Sequence, residues 1–338
     1  MLKFTKIFLA ILSLNLFLAS TVSAEKLSDR EDIQLFINEM HEKHGFDKAA
    51  LETLFSKTRM QPSIIKAISR PAERKPWHDY RQIFITQSRI ELGVEFWNEH
   101  ADLLKQAEEK YGVPPEVIVS IIGVETRYGR HTGNYRVIDS LSTLAFDYPP
   151  RSKFFRSELK HYLLMTREEN VDPLSLKGSY AGAMGQPQFI SSSFRSYAID
   201  FDGDGKRDIW NNPADAIGSV ANYFVRHGWK PGDKITQMIS PSANTDTALL
   251  QEKDLKPSHT IASLRQNGFT DIDNTLEGDS LAAVINLDGA TAPEHWLGLK
   301  NFYVITRYNH SALYAMAVYQ LSEKIRERRQ QAEQNNDA

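Results

Sequence analysis

The chain has 338 residues, 41% of them hydrophobic and 25% charged, with 40 basic against 43 acidic side chains. That length and apolar fraction describe a globular protein of about two domains, and a formal charge of −3 leaves no basic footprint for nucleic acid. Cysteine is absent, which excludes disulfides, thiolate nucleophiles, Cys-ligated metals and lipid attachment through an N-terminal cysteine.

Residues 1–24 read as a secretory signal peptide: a basic head (Lys3, Lys6), an apolar run from Ile7 to Ala19, and the small-residue exit Val22-Ser23-Ala24. Cleavage is expected after Ala24, giving a periplasmic protein. Residues 25–111 form a helical region, with Ile33, Phe36, Ile37 and Met40 on one face. Residues 112–230 are richer in glycine and motifs. Residues 231–300 are turn-rich and contain a strand over Leu281–Leu287. A second strand is predicted through residues 301–306, then a helix to about Arg326, and residues 327–338 are a polar tail expected to fray. The fold class is mainly α (α+β), a helical body with a small mixed α/β insertion.

The sharpest local signal runs from Val113 to Gly129. Pro115 suits a first helical position and Gly129 a C-terminal cap. Between them Ile118, Ile121, Ile122 and Glu125 fall at i, i+3, i+4 and i+7, so Glu125 continues the apolar face. A carboxyl there is desolvated, its pKa rises, and it can serve as the general acid that cleavage of a glycosidic bond requires. The alternative is a glutamate tied to Arg127 or Arg130. A second segment, Lys177 to Ser193, packs three glycines among small polar residues, which lets backbone approach a ligand closely. A third, Asp200-Phe-Asp202-Gly-Asp204-Gly205-Lys206-Arg-Asp208, has acids at positions 1, 3, 5 and 9 and glycine at 6. That is the spacing of a calcium loop, in which the position-7 carbonyl (Lys206) also faces the ion. Position 12 is Asn211 in place of the usual glutamate.

Taken together, E-T-R-Y-G at 125–129, G-A-M-G-x-x-Q-F at 182–189, the stretches 195–210 and 216–224, and Tyr308-Asn-His-Ser-Ala-Leu-Tyr314 resemble the membrane-bound lytic murein transglycosylase B family over about residues 30–325. The resemblance implies a lysozyme-like core. It also implies cleavage of the β-1,4 bond between N-acetylmuramic acid and N-acetylglucosamine of peptidoglycan, leaving a 1,6-anhydromuramoyl end. Glu125 would be the single acid/base, with no catalytic cofactor. Ser179, Gln188, Tyr223, Tyr308, Asn309 and Tyr314 would bind the sugars, with Tyr80 and Arg151 nearby and Arg151 available to a carboxylate. Asp215 would supply the late ligand of a structural Ca²⁺ held by Asp200, Asp202, Asp204, Lys206 and Asp208, with one extra residue (Asn211 or Asn212) before it. Family lipoproteins are anchored through a cysteine that this chain lacks, so a soluble form without a lipid anchor is expected. The same-fold alternative is a hydrolysing muramidase of the goose-lysozyme kind. The alternative from another class is a calcium-stabilised scaffold that grips glycan strands without cutting them.

Overall fold

The computed structural model describes residues 27–69 and 75–336, so the expected signal segment lies outside the described residues. By backbone contacts the chain divides into two units, the first ending at Ser56 and the second beginning at Lys57. The first carries α1 (Glu31–His44) and most of α2 (Lys48–Lys57). As the 3.6-residue period predicts, α1 buries Ile33, Phe36, Ile37 and Met40, and Phe36 meets Phe55 edge-on at 6.0 Å. Gly45 ends α1 in the left-handed region, φ 66°.

The second unit is mainly helical. It runs through α3 (Pro62–Ile68), α4 (Trp77–Phe84), α5 (Gln87–Glu99) and α6 (Ala101–Tyr111) into α7 (Pro115–Thr126). Pro115 does start α7, and the helix is buried almost all round: nine of its twelve residues are sealed, because α5, α6 and two later helices, over residues 213–226 and 312–336, all pack on it. A helix apolar on every side belongs at the centre of a fold. Each fully buried isoleucine of its stripe contributes roughly 1.5–3 kcal/mol. The chain continues with β1 (Tyr135–Arg136), α8 (Val137–Asp147), α9 (Ser152–Glu168), β2 (Lys177–Gly178), α10 (Ser191–Tyr197) and α11 (Pro213–Arg226).

A five-stranded antiparallel sheet then interrupts the helices. Its strands are β3 (Thr236–Pro241), β4 (His259–Thr260), β5 (Phe269–Thr270), β6 (Leu281–Leu287) and β7 (Glu294–Gly298), in the order β4-β6-β7-β3-β5. The short α12 (Ile261–Gln266) lies beside it, and Ile261, Leu264, Phe269, Val284 and Leu297 form its own core. The strand expected over 281–287 is β6.

The strand expected over residues 301–306 is instead part of a helix, α13 (Lys300–Tyr308). The β-branched and aromatic run Phe-Tyr-Val-Ile-Thr suggests a strand, but tertiary contacts decide otherwise. Asn301 is fully buried, its Oδ1 accepting from Lys230 N at 2.8 Å and its Nδ2 donating to Lys230 O and Asp233 O. Phe302, Val304 and Ile305 are buried with it on the inner side of the helix. The last helix, α14 (Ala312–Asn336), also runs beyond the expected end near Arg326, through the tail expected to fray. Arg329 holds it there, pairing with Glu333 at 2.9 Å, donating to Asn98 and lying 4.8 Å from the Trp97 ring. No helix among the described residues is long and apolar enough to cross a membrane.

Candidate active site

Glu125 stands one residue before the end of α7, where the helix leaves the core. The expected cap at Gly129 comes two residues earlier: Arg127, Tyr128 and Gly129 all have positive φ (52°, 61° and 77°), and Arg127 N and Tyr128 N bond back to Gly123 O and Ile122 O. For Arg127 and Tyr128 this conformation costs on the order of 1–3 kcal/mol each. Tyr128 is held in it by its hydroxyl, which donates to Arg89 O at 2.8 Å, and by its ring, packed on Phe96 at 5.7 Å. A Cβ at Gly123 would sit 2.6 Å from that ring, so only glycine lets Tyr128 fold back on the helix. The abrupt stop leaves Glu125 at a fixed edge with a little solvent contact.

Neither arginine proposed as a partner pairs with Glu125. Arg127 donates to Ser88 Oγ, and Arg130 lies 3.9 Å from Glu95. Its partner is Tyr314, whose hydroxyl donates to Oε1 at 2.6 Å. Burial pushes the Glu125 carboxyl up to about 7, against the opposing pull of the Tyr314 hydrogen bond. The carboxylate in turn helps hold Tyr314, Tyr308 and Tyr80 in their phenol form, each already raised chiefly by burial. Tyr80 therefore belongs beside the acid, on α4, where its ring packs at a tilt against Phe84, 5.2 Å between centres.

The glycine-rich segment forms one wall. β2 pairs with β1, and single bridges join Gly178 to Met184 and Met184 to Phe189. A Cβ at Gly133 would fall 2.1 Å from the Gly178 carbonyl, so the two backbones touch. Thr126 pins this wall to α7, its Oγ1 donating to Gln186 O at 2.9 Å. Ser179 Oγ accepts from Ala183 N, and Gln188 Nε2 donates to Thr132 O and Gly185 O. Gln188 itself has φ 52°.

The remaining expected residues divide. Tyr308 stacks at 6.5 Å on Tyr314 and meets Tyr223 at 4.7 Å with the rings tilted by 57°. The hydroxyls of Tyr308 and Tyr223 are already committed, to Pro187 O and Arg307 O at 2.6 Å each, so neither is a free phenol, and the Tyr223 ring is buried against His227 and Tyr197. Asn309 ends α13 in extended backbone and is exposed. Arg151 makes its contacts elsewhere, with its guanidinium 4.4 Å from the Phe154 ring. Sequence reasoning missed Thr126 and Arg89. The Arg89 Nη1 donates to Gly123 O at 3.3 Å and holds the terminal turn of α7. Nothing local marks a residue 34 positions away as its support.

The acidic loop is separate chemistry. Asp200, Asp202 and Asp204 bring one oxygen each within 4.8 Å of one another. Gly203 and Gly205 take φ of 79° and 87°, and Asp200 gathers the backbone N–H groups of Gly203, Asp204 and Gly205. Asp208 and Asp215, expected as ligands, do not join this trio. Asp208 accepts from Trp210 N and Asn211 N, while buried Asp215 accepts from Phe201 N and Asp208 N, one at each end of the loop. Of the two asparagines before Asp215, Asn212 caps α11 through Ala214 N and reaches Asp202 with Nδ2 at 2.9 Å. Three converging carboxylates on a pre-shaped loop fit a hard, oxygen-seeking cation.

Residues 28–323 match the family model described as the transglycosylase SLT domain. The chain is 45% identical over 308 residues to membrane-bound lytic murein transglycosylase B of Escherichia coli (strain K12), covering 88% of this chain and 83% of that protein. Among solved structures it is similar to soluble lytic transglycosylase SltB1 from Pseudomonas aeruginosa. The TM-score is 0.83, with 52% identity over 88% of this chain and 99% of that one. It is also similar to Escherichia coli lytic transglycosylase Slt35 in complex with calcium, with TM-score 0.82 and 44% identity over 89% and 94%.

Proposed function

The chain belongs to the transglycosylase SLT domain family, and from that premise we propose that it is a peptidoglycan lytic transglycosylase with Glu125 as its single acid/base. The observation that supports this most is one carboxyl held near pH 7 by burial, 2.6 Å from a phenol donor, with no second acid perturbing it. A two-carboxylate glycosidase needs a partner acid at the scissile bond. A lone acid suffices when the sugar supplies the nucleophile. Protonated Glu125 gives its proton to the oxygen between N-acetylmuramic acid and N-acetylglucosamine, and the C1–O bond breaks. The resulting carboxylate, steadied by Tyr314, takes the proton of the muramoyl C6 hydroxyl as that oxygen closes on C1. The product is a 1,6-anhydro ring, and Glu125 is again protonated.

In this reading Tyr80, Tyr223, Tyr308 and Tyr314 present ring faces to the pyranoses, and Ser179, Gln188 and Asn309 serve the acetamido and hydroxyl groups. Arg151, whose guanidinium rests on the Phe154 ring, would meet a substrate carboxylate from outside this cluster. Mass spectrometry of digested sacculi decides between readings: anhydro ends are expected, products heavier by one water would indicate a hydrolysing muramidase, and intact strands would indicate a scaffold. The expected site of action is the periplasm.

Calcium belongs to the same proposal, as a structural ion. Asp200, Asp202 and Asp204 would hold it, and it neutralises their mutual repulsion when bound. A ligand that binds only the folded state stabilises by roughly 2.7 kcal/mol at a hundredfold excess over Kd, worth several degrees in Tm for a chain of this size. Calcium should raise Tm, and Asp202→Ala with Asp204→Ala should erase the rise. Cleavage should persist wherever both forms stay folded. Melting curves with calcium and with chelator check this, and an unchanged Tm overturns it.

A further inference from the structure

Two hydroxyls grip the turn Gln186-Pro187-Gln188 by neighbouring carbonyls. Thr126 Oγ1 donates to Gln186 O at 2.9 Å, the nearer of its two acceptors, Ile122 O being 3.1 Å away. The Tyr308 hydroxyl donates to Pro187 O at 2.6 Å. The donors sit on different helices, α7 and α13, yet each leads back to Glu125. Thr126 follows Glu125 in the chain, is sealed from solvent, and accepts from Gly129 N at 3.0 Å where the chain leaves α7. Tyr308 lies nearly parallel to Tyr314, 11° between planes, and the Tyr314 hydroxyl bonds Glu125. The turn cannot back away from these two donors. Gln186 N donates to Ile209 O at 2.9 Å, and a Cβ at Gly185 would fall 2.6 Å from that same carbonyl. The turn ends in Gln188, whose φ of 52° is one a side-chain-bearing residue keeps only where its surroundings enforce it. Gln188 Nε2 is fixed in turn by Thr132 O and Gly185 O.

We propose that Thr126 and Tyr308 are positioning residues: their hydroxyls set the distance between Glu125 and Gln188, so that the sugar held by Gln188 presents its glycosidic oxygen to the acid. The inference rests on the activity, and on the sugar-binding role of Gln188, proposed above. Such spacing matters because a displacement of about 1 Å at a reacting centre can cost about a hundredfold in rate. It also gives the Tyr308 hydroxyl a task that the ring alone cannot perform. Neither hydroxyl reaches the acid's proton, since both donate to backbone, and the Glu125 carboxyl is shifted by burial and by Tyr314 alone. The two groups therefore act on where the sugar lies and leave the acid's titration untouched.

The test is a set of double-mutant cycles, read as anhydromuropeptide release from sacculi. Tyr308→Phe keeps the ring and removes one donor; Thr126→Val keeps the shape and removes the other. Each should lower kcat/KM about tenfold. Thr126→Ser, which keeps the Oγ, should restore most of the Thr126→Val loss. In a Gln188→Ala background neither substitution should cost more than about twofold, because no amide is left to position. The alkaline limb near pH 7 should stay in place throughout. If Thr126→Val does not fold, the Tyr308→Phe cycle decides alone. Losses of the same size in the Gln188→Ala background overturn the positioning role, as do no losses at all or a displaced limb, while the lyase reading stands. A parent enzyme that releases no anhydro ends overturns the lyase reading and this inference with it.

Discussion

Glu125→Gln should fold, bind glycan and fail to cut it. An amide neither gives nor takes the proton that both steps move, and general acid–base work contributes roughly 10²- to 10⁴-fold for each step it serves. One side chain serves two steps here, so the loss should reach at least the upper figure, read as anhydromuropeptide release per hour from sacculi. A folded variant working at a tenth of the parent rate removes Glu125 from the mechanism. The same variant carries a stability signature. The folded carboxyl sits at about 7 against an ordinary 4.5, so between those values the folded protein holds a proton that the unfolded chain has lost. Parent stability therefore falls as pH rises through this window, by roughly 3 kcal/mol at most. Glutamine does not titrate. Glu125→Gln should match the parent near pH 4 and melt several degrees above it at pH 8, and equal melting at both pH values would contradict the burial of a titrating acid.

What could be read from the chain alone follows the reach of each interaction. The stripe Ile118, Ile121, Ile122, Glu125 obeys a helical period, and a period is local, so the position of the acid on the apolar face was legible before its neighbours were known. The spacing of Asp200, Asp202 and Asp204 around two glycines was legible for the same reason. The Asn301–Thr306 segment was not. Its residue types favour a strand, and the buried amide that anchors it as a helix has its partners about 70 positions away. Tyr314 and Tyr80 lie 189 residues after and 45 before the acid they surround, and only resemblance to a family placed them there. Resemblance could not say which phenols are free. The hydroxyls of Tyr223 and Tyr308 are spent on backbone carbonyls, and that of Tyr314 is on Glu125.

That division makes Tyr314→Phe the informative second substitution. Phenylalanine keeps the ring and its near-parallel stacking on Tyr308, 11° between planes, and removes one hydrogen bond. The bond is short because its acceptor becomes a carboxylate, and a donor already aimed at developing charge strengthens as that charge forms. Proton donation by Glu125 creates such a charge in a buried place. Losing the donor should slow cleavage about a hundredfold, mostly in kcat, since the ring and its packing are unchanged. The pH profile separates this from damaged packing. Glu125 must be protonated to begin, so kcat/KM should fall as pH rises through about 7 in the parent. The Tyr314 bond pulls that pKa down against burial, so without it the alkaline limb should move to higher pH, even though the rate is lower throughout. Slower cleavage with an unmoved limb would mean that Tyr314 only fills space. A limb displaced toward acid would mean that the hydroxyl had been favouring the protonated form, and the proton route through Glu125 would need to be redrawn.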